Sequence, residues 1–351
     1  MENFQNYGTN PALLLAGMGW ADVDVSGIGD DIDPNADADS KCLSFNTNGT
    51  GSSGTRLVIP TATAQLGVAF RLWVSPLPET YSHGSGVSFN TVGNDPTVGV
   101  FITPTGGLRL VDMNGTYGTS ADVVIDETSG PVISSGAHHH IEFFFDNVTG
   151  EYEVRVEGVE VMSGTTVEVT AASFGIVEFR DTYVTSASSS GYTRRLKDLI
   201  VWDTSGSLNN NFIGPVTVYT LQVDGDVSAT NVTSTGASNY SVVDEMTPND
   251  ADYLTMGAIP SSVIMTFEDV PADVVAIRAV QTVVRAQKTD GGDAFMQVGL
   301  LSNGDEDTGS DDAVSTSFTY HFDVSETNPD TSTVWTPTTV NAATLKINRT
   351  L

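Results

Sequence analysis

The residues that could do chemistry are few and clustered. His138-His139-His140 opens a run that continues Ile-Glu-Phe-Phe-Phe-Asp146. On a strand successive side chains point to opposite faces, so His138 and His140 share one face about 6.5–7 Å apart and His139 takes the other. Two imidazoles on one face are a start for a metal site, but the sequence names no third ligand. Glu142, Glu151 and Glu153 are the carboxylates nearest to a glycosidase pattern. Glycoside hydrolysis needs two carboxyl groups flanking the bond, one with a raised pKa. Alternation puts Glu151 and Glu153 on one face, but Arg155 fills the third position and Phe144 follows Glu142. The chain is therefore expected to have no catalytic residues and not to be an enzyme. Cys42 is the one cysteine, with no identifiable base for a nucleophile and no partner for an internal disulfide.

Calcium takes six to eight oxygens, which dense carboxylates on a Gly-containing turn can provide. Two segments have that composition: Asp30-Asp31-Ile-Asp33 through Asp37 and Asp39, and Asp305-Glu306-Asp307 through Asp311-Asp312. Neither follows the EF-hand order. Asp305, Asp307, Asp311 and Asp312 are the calcium candidates, set against the commoner reading of a solvated charge run. No other cofactor is expected. Trp73 and Trp202 sit in apolar strand patterns and read as core, as Trp20 and Trp335 do by default, while Tyr81, Tyr117 and Tyr192 lie in loops where a glycan or a neighbouring subunit could meet them.

These residues are carried by strands. Short Val-, Thr- and Ser-rich runs are punctuated by Gly, Asn and Asp, and helical periodicity is nearly absent, which predicts an all-β chain. Val68, Phe70, Leu72 and Val74 alternate as the buried side of a strand over Gly67–Val74. Further strands are predicted at 98–103, 108–112, 123–125, 138–146, 151–156, 159–162, 176–179 and 196–202. Asp146-Asn-Val-Thr-Gly150 and Glu157-Gly158 are read as hairpin turns. That number of strands predicts a two-sheet sandwich. In the second half, strands are predicted at 216–223, 263–267, 274–285, 294–301 and 315–324, with 344–347 closing the sheet. Pro215 interrupts the pairing pattern, so the expected division is residues 1–214 and 215–351.

The 351 residues carry 44 Asp and Glu against 14 Lys and Arg, a formal charge of −30. Direct binding to nucleic acid is excluded as an expectation, because it needs clustered cations to displace counterions. An anionic membrane surface is excluded for the same reason. The apolar run Ala12–Met18 is too short to span a bilayer and has no basic region before it, so neither membrane insertion nor secretion by the ordinary route is expected.

The order Gly67–Pro76, Val98–Asp112, His138–Asp146 and Gly150–Gly158 resembles laminin-G or concanavalin-like jelly rolls. A longer ordered set is similar to two-domain virion proteins of tailed bacteriophages: Arg195–Gly214 followed by Val216–Gly225, Val243-Asp-Glu245 with Asp250–Tyr253, Ile277–Gln281, and Glu326–Pro329 through Trp335-Thr336 to Val340-Asn341. Phe4–Gly8 matches the opening of that family. Pro215 and Lys197-Asp198 depart from it, where acidic residues are usual. The resemblance implies an N-terminal concanavalin/laminin-G-like jelly roll and a smaller C-terminal β-sandwich. It also implies a place on the exterior of a virion, as a tail-associated fibre, baseplate appendage or capsid decoration. The implied partners are other virion proteins and further copies of the chain, a trimer if it forms a fibre. The second reading is a lectin-like adhesin for host surface glycans; the third is a polysaccharide-degrading enzyme.

Overall fold

The computed structural model describes residues 20–24, 27–30, 41–47, 52–78, 85–113, 122–167, 169, 173–182, 192–245 and 249–351. The chain divides into two compact units, 1–218 and 219–351. Residues 215–218 thus belong with the first unit, beyond the division expected at 214. The cause is local: the Val218 N–H donates to Asp198 Oδ1 at 3.0 Å, and Pro215 lies against Gly158.

The strands of the first unit are β1 (Trp20–Asp24), β2 (Gly27–Asp30), β3 (Lys41–Thr47), β4 (Ser52–Thr63), β5 (Gln65–Ser75), β6 (Gly86–Asn90) and β7 (Pro96–Ile102). They continue as β8 (Leu108–Asp112), β9 (Val123–Glu127), β10 (His138–Asp146), β11 (Glu151–Val156), β12 (Val159–Thr165), β13 (Phe174–Thr182) and β14 (Tyr192–Trp202). One antiparallel sheet runs β1-β4-β13-β6-β7-β8-β9 and the other β12-β11-β10-β5-β14-β3-β2. The chain passes repeatedly between them, from β4 to β5 and from β13 to β14, which is the wrapping of a jelly-roll sandwich.

Alternation within strands builds the core between the sheets. Phe143 of β10 stacks on Phe89 of β6 with centroids 4.6 Å apart, and Phe70 of β5 meets Phe179 of β13 edge-on at 5.1 Å. Phe174 packs against both Phe89 and Phe145. Val68, Phe70, Leu72 and Val74 are all buried, as their spacing predicts. The two predicted turns form with positive φ at Gly150, Glu157 and Gly158, and Asp146 Oδ1 accepts the Val148 and Thr149 N–H groups.

The second unit contains β15 (Val223–Thr230), β16 (Val232–Ser234), β17 (Leu254–Met256), β18 (Ser261–Phe267), β19 (Val280–Ala286), β20 (Phe295–Ser302), β21 (Asp305–Thr308) and β22 (Asp312–Ala313). It ends with β23 (Thr319–Ser325), β24 (Thr327–Asn328), β25 (Thr333–Val334), the short helix α1 (Pro337–Asn341) and β26 (Thr344–Arg349). The main sheet runs β15-β18-β26-β20-β21, and the small β16–β17 and β19–β23 ladders pack side chains onto its core of Val263, Met265, Met296, Val298 and Ile347.

Three expectations are corrected here. Residues 216–222 form no strand; the Val218 N–H goes to Asp198 and the Gln222 N–H to Glu268 Oε2. The strand predicted at 274–285 begins only at Val280. The C-terminal strand does not close the sheet; it lies inside it, between β18 and β20.

Candidate functional site

The core strands of the second sheet turn their other face outward, and that face collects several of the residues singled out in the sequence. On β10, Ile141, Phe143 and Phe145 enter the core, so His138, His140, Glu142 and Phe144 point out. Across β5 these meet Trp73, Arg71, Ala69 and Gly67 in register. On the far side of β5, β14 places Arg195 beside Trp73 and Lys197 beside Arg71. Beyond β10, β11 places Arg155 beside Glu142 and Glu153 beside Phe144.

One end of this face is roofed by the chain itself. After β14, residues 203–218 run back over the sheet as a strap. Trp202 lies so close over Gly67 that a Cβ there would sit 2.0 Å from the indole, so the approach requires glycine. Phe212 caps Trp202 and Phe144 edge-on, with ring centroids 5.8 and 6.3 Å away, and the Arg155 guanidinium sits 4.1 Å from the Phe212 centroid. Glu142 Oε1 then accepts the N–H groups of Ile213 at 2.9 Å and Gly214 at 3.1 Å.

Burial under this roof sets the ionisation. Desolvation pushes the Glu142 carboxyl above its usual range, against the two backbone donors and the nearby Arg155 that favour the anion. Burial, reinforced by the Arg71 charge, lowers His140 to about 4, so its imidazole is neutral at pH 7. Glu142 and His140 are 0% and 1% exposed. Glu142 acts as the clasp of the strap. His139 points the other way, its Nε2 within hydrogen-bond distance of the Ser134 N–H and hydroxyl.

The other end of the face is more open. Trp73, Arg71, His138 and Arg195 are half-buried there. The Arg195 guanidinium lies 5.0 Å from the Trp73 ring centroid, within cation–π range. Arg195 Nε and Nη1 are nevertheless buried donors with no acceptor. Arg71 Nε is 3.6 Å from Asp198 Oδ2. Lys197 and Asp198 are buried at a bulge in β14, with Asp198 at φ 52°. This end can offer an aromatic surface, guanidinium donors and an imidazole to one ligand. By contrast the buried carboxylate on the first sheet's outer face, Glu178, is saturated: Asn90 donates to it at 2.7 Å, with Arg56 and Arg180 alongside.

The remaining candidates are dispersed. Glu151 is exposed and Glu153 pairs with Arg155. Cys42 is buried. Trp335 is core, donating its indole N–H to the Ser325 carbonyl at 3.1 Å. Among the calcium candidates, Asp307 accepts from the Ser325 hydroxyl and Asp312 lies 3.5 Å from His321 Nδ1. Both approach Asp323, whose pKa is raised by burial, then by Asp307, and by Asp312. Asp305 and Asp311 are exposed. Among the described residues no three His, Cys, Asp or Glu side chains group closely enough to hold a metal ion. Asp31, Asp33, Asp37, Asp39, Tyr81 and Tyr117 lie outside the described residues, as do the side chains of Trp20, Asp30 and Tyr192.

Trp73, read as core from the sequence, is half-buried on the outer face instead, and Arg71 and Arg195 were not singled out as candidates. The available signal was Arg71-x-Trp73 and Arg195-x-Lys197, cations at alternate strand positions in a chain otherwise poor in them.

No protein family model and no curated protein matches the chain. Similar solved structures include a carbohydrate-binding module, CBM66 from Bacillus subtilis, at 11% identity and TM-score 0.34, covering 56% of this chain and 98% of that one. Alginate lyase Aly36B in complex with an alginate tetrasaccharide matches at 14% identity and TM-score 0.39, covering 57% of this chain and 94% of that one. A sialidase matches at 15% identity and TM-score 0.37 over 57% of this chain but only 18% of the sialidase.

Proposed function

We propose that this chain is a non-catalytic glycan-binding protein whose first unit holds its ligand at the open end of the second sheet's outer face. The observation that carries the reading is the Trp73–Arg195 pair: a half-buried indole beside a guanidinium with two donors lacking acceptors. Ligand sites characteristically join an apolar or aromatic surface to a few directed polar groups, and sugar rings present an apolar face with hydroxyls at the edge. The buried state of Glu142 and His140 supports binding without turnover, since a general acid must reach the bond it protonates.

The ordered resemblance to tailed-phage virion proteins gives this module its setting: an appendage or decoration on the particle exterior that meets the host surface. Repeated on a symmetric particle, modest contacts gain avidity from their number. A second reading, assembly between virion proteins without a glycan, draws on Arg195–Gly214, the longest resembling segment, which forms β14 and the clasped part of the strap.

The test is retention of the full chain on immobilised bacterial surface polysaccharides, with reducing ends measured in parallel. Retention without new reducing ends is expected. Absence of retention on every polysaccharide, or release of new ends, contradicts the proposal.

A further inference from the structure

We infer that the outward face of the β19–β23 ladder is a self-association surface, on which a second copy of this chain docks. The ladder pairs Val280–Ala286 with Thr319–Ser325 without a register shift. Its inward side is fixed by contacts. Val284 and Ala286 pack on the core of the main sheet, Thr282, His321 and Ser325 are buried, and Asp323 faces Asp307 and Asp312. Alternation therefore turns Val283 and Arg285 of β19, and Tyr320, Phe322 and Val324 of β23, to the other side. Phe322 stands opposite Val283 on the central rung and is 44% exposed, and Val324 is 46% exposed. Phe318 extends the row, with the Arg285 guanidinium 4.2 Å from its ring centroid and 5.9 Å from that of Tyr320.

The composition of this row is that of a protein–protein contact. Aromatic residues and Arg are enriched, and Asp, Glu and Lys depleted, where proteins bury surface against one another. Asp323 is the one acid of the two strands, and it points inward. Arg285 pairs with Asp250, so the row brings no net charge.

The charge of the chain selects the occupant. Two copies at −30 each repel, and a two-fold contact sets a patch directly against itself, so like charges within it would oppose one another. The outer faces of the other large sheets carry carboxylates: Glu127 and Glu178 on the first sheet, Glu153 and Asp198 on the second, and Glu306 on the main sheet of the second unit. At about 0.15 M salt the screening length is roughly 8 Å, so carboxylates inside a contact outweigh distant ones. A basic partner would be drawn to those acidic faces, whereas the uncharged row suits another copy of an acidic chain. The ladder is roughly 24 Å long and two strands wide. That is small beside the ~800 Å² per partner of a stable interface, so the expected dimer is weak and concentration-dependent.

The test is sedimentation equilibrium of the full chain from micromolar to near-millimolar concentration at 0.15 M salt. The wild-type mass should rise from monomer toward dimer. Phe322→Asp places a carboxylate at the centre of the row and should weaken association tenfold or more, as should Val324→Asp beside it. Val159→Asp, at an exposed valine of the first unit, should associate like wild type. Thermal transitions within a few degrees of wild type show that lost association is not lost fold, and if one Asp variant unfolds the other decides. A wild type that stays monomeric throughout overturns the inference and leaves a partner of different sequence as the occupant of the face. Association that survives both substitutions overturns it as well, by placing the contact elsewhere.

Discussion

Glu142 Oε1 accepts the backbone N–H of Ile213 at 2.9 Å, joining the centre of a sheet strand to a segment some seventy residues later in the chain. The bond explains why a carboxylate between Ile141 and Phe143 belongs on β10. Glu142→Ala leaves the Ile213 and Gly214 N–H groups without their acceptor and should cost about 2–4 kcal/mol in denaturant unfolding. Glu142→Gln keeps the acceptor and should stay within about 1 kcal/mol. Because the folded carboxyl titrates above its usual range, the folded state holds a proton there that the unfolded state has released. Wild type should therefore lose stability relative to Glu142→Gln as pH rises through that window.

His140 has the opposite sign. Its pKa falls from 6.5 to about 4 on folding, so its contribution is fully present above pH 6.5 and is lost as pH falls through 4. At 1.36 kcal/mol per pH unit the loss is about 3 kcal/mol. Wild type minus His140→Gln, measured by urea unfolding between pH 7 and 4, should shrink by that amount. Burial and then the Arg71 charge hold the ring neutral, so a flat difference would mean that the imidazole is solvated.

Gly67→Ala should displace Trp202 and free the strap. Overpacking of this kind costs about 1–3 kcal/mol, and Trp202→Ala about 3–5 kcal/mol by cavity formation. Both variants should become susceptible to limited proteolysis between residues 203 and 214, where wild type resists. Equal cleavage rates would contradict the roofed arrangement.

In the second unit, Asp323 faces Asp307 and Asp312. Asp323→Asn should raise stability at pH 7 by no more than about 0.5–1 kcal/mol, since the group is partly solvated. The gain should vanish at low pH, where the wild-type carboxyl is already protonated. A midpoint shift downward at pH 7 would contradict this placement.

What the sequence made legible was local. The alternation in Gly67–Val74 and in residues 138–156 gives β5, β10 and β11 with their buried faces, and the turn residues Gly150 and Glu157-Gly158 fix two hairpins. β6 and β4 escaped notice because Gly, Ser and Thr dilute their alternation. The error at 216–222 has a physical source: β-branched residues favour extended backbone, but extension becomes strand only when a neighbour supplies hydrogen bonds, and here Asp198 and Glu268 compete for them. The His138/His140 face was readable from parity alone. Its meaning was not, because Arg195 reaches Trp73 only through the long-range pairing of β14 with β5, and Glu142 is hidden only once the strap returns. Trp73 looked like core since parity does not say which face of a sandwich strand is covered.

The most direct measurement of the central claim is the binding isotherm of full-length wild type and Trp73→Ala against the polysaccharide that retains the protein best. The account predicts at least a tenfold loss of affinity in Trp73→Ala with its thermal transition within a few degrees of wild type. Unchanged affinity would contradict the placement of the ligand on this face.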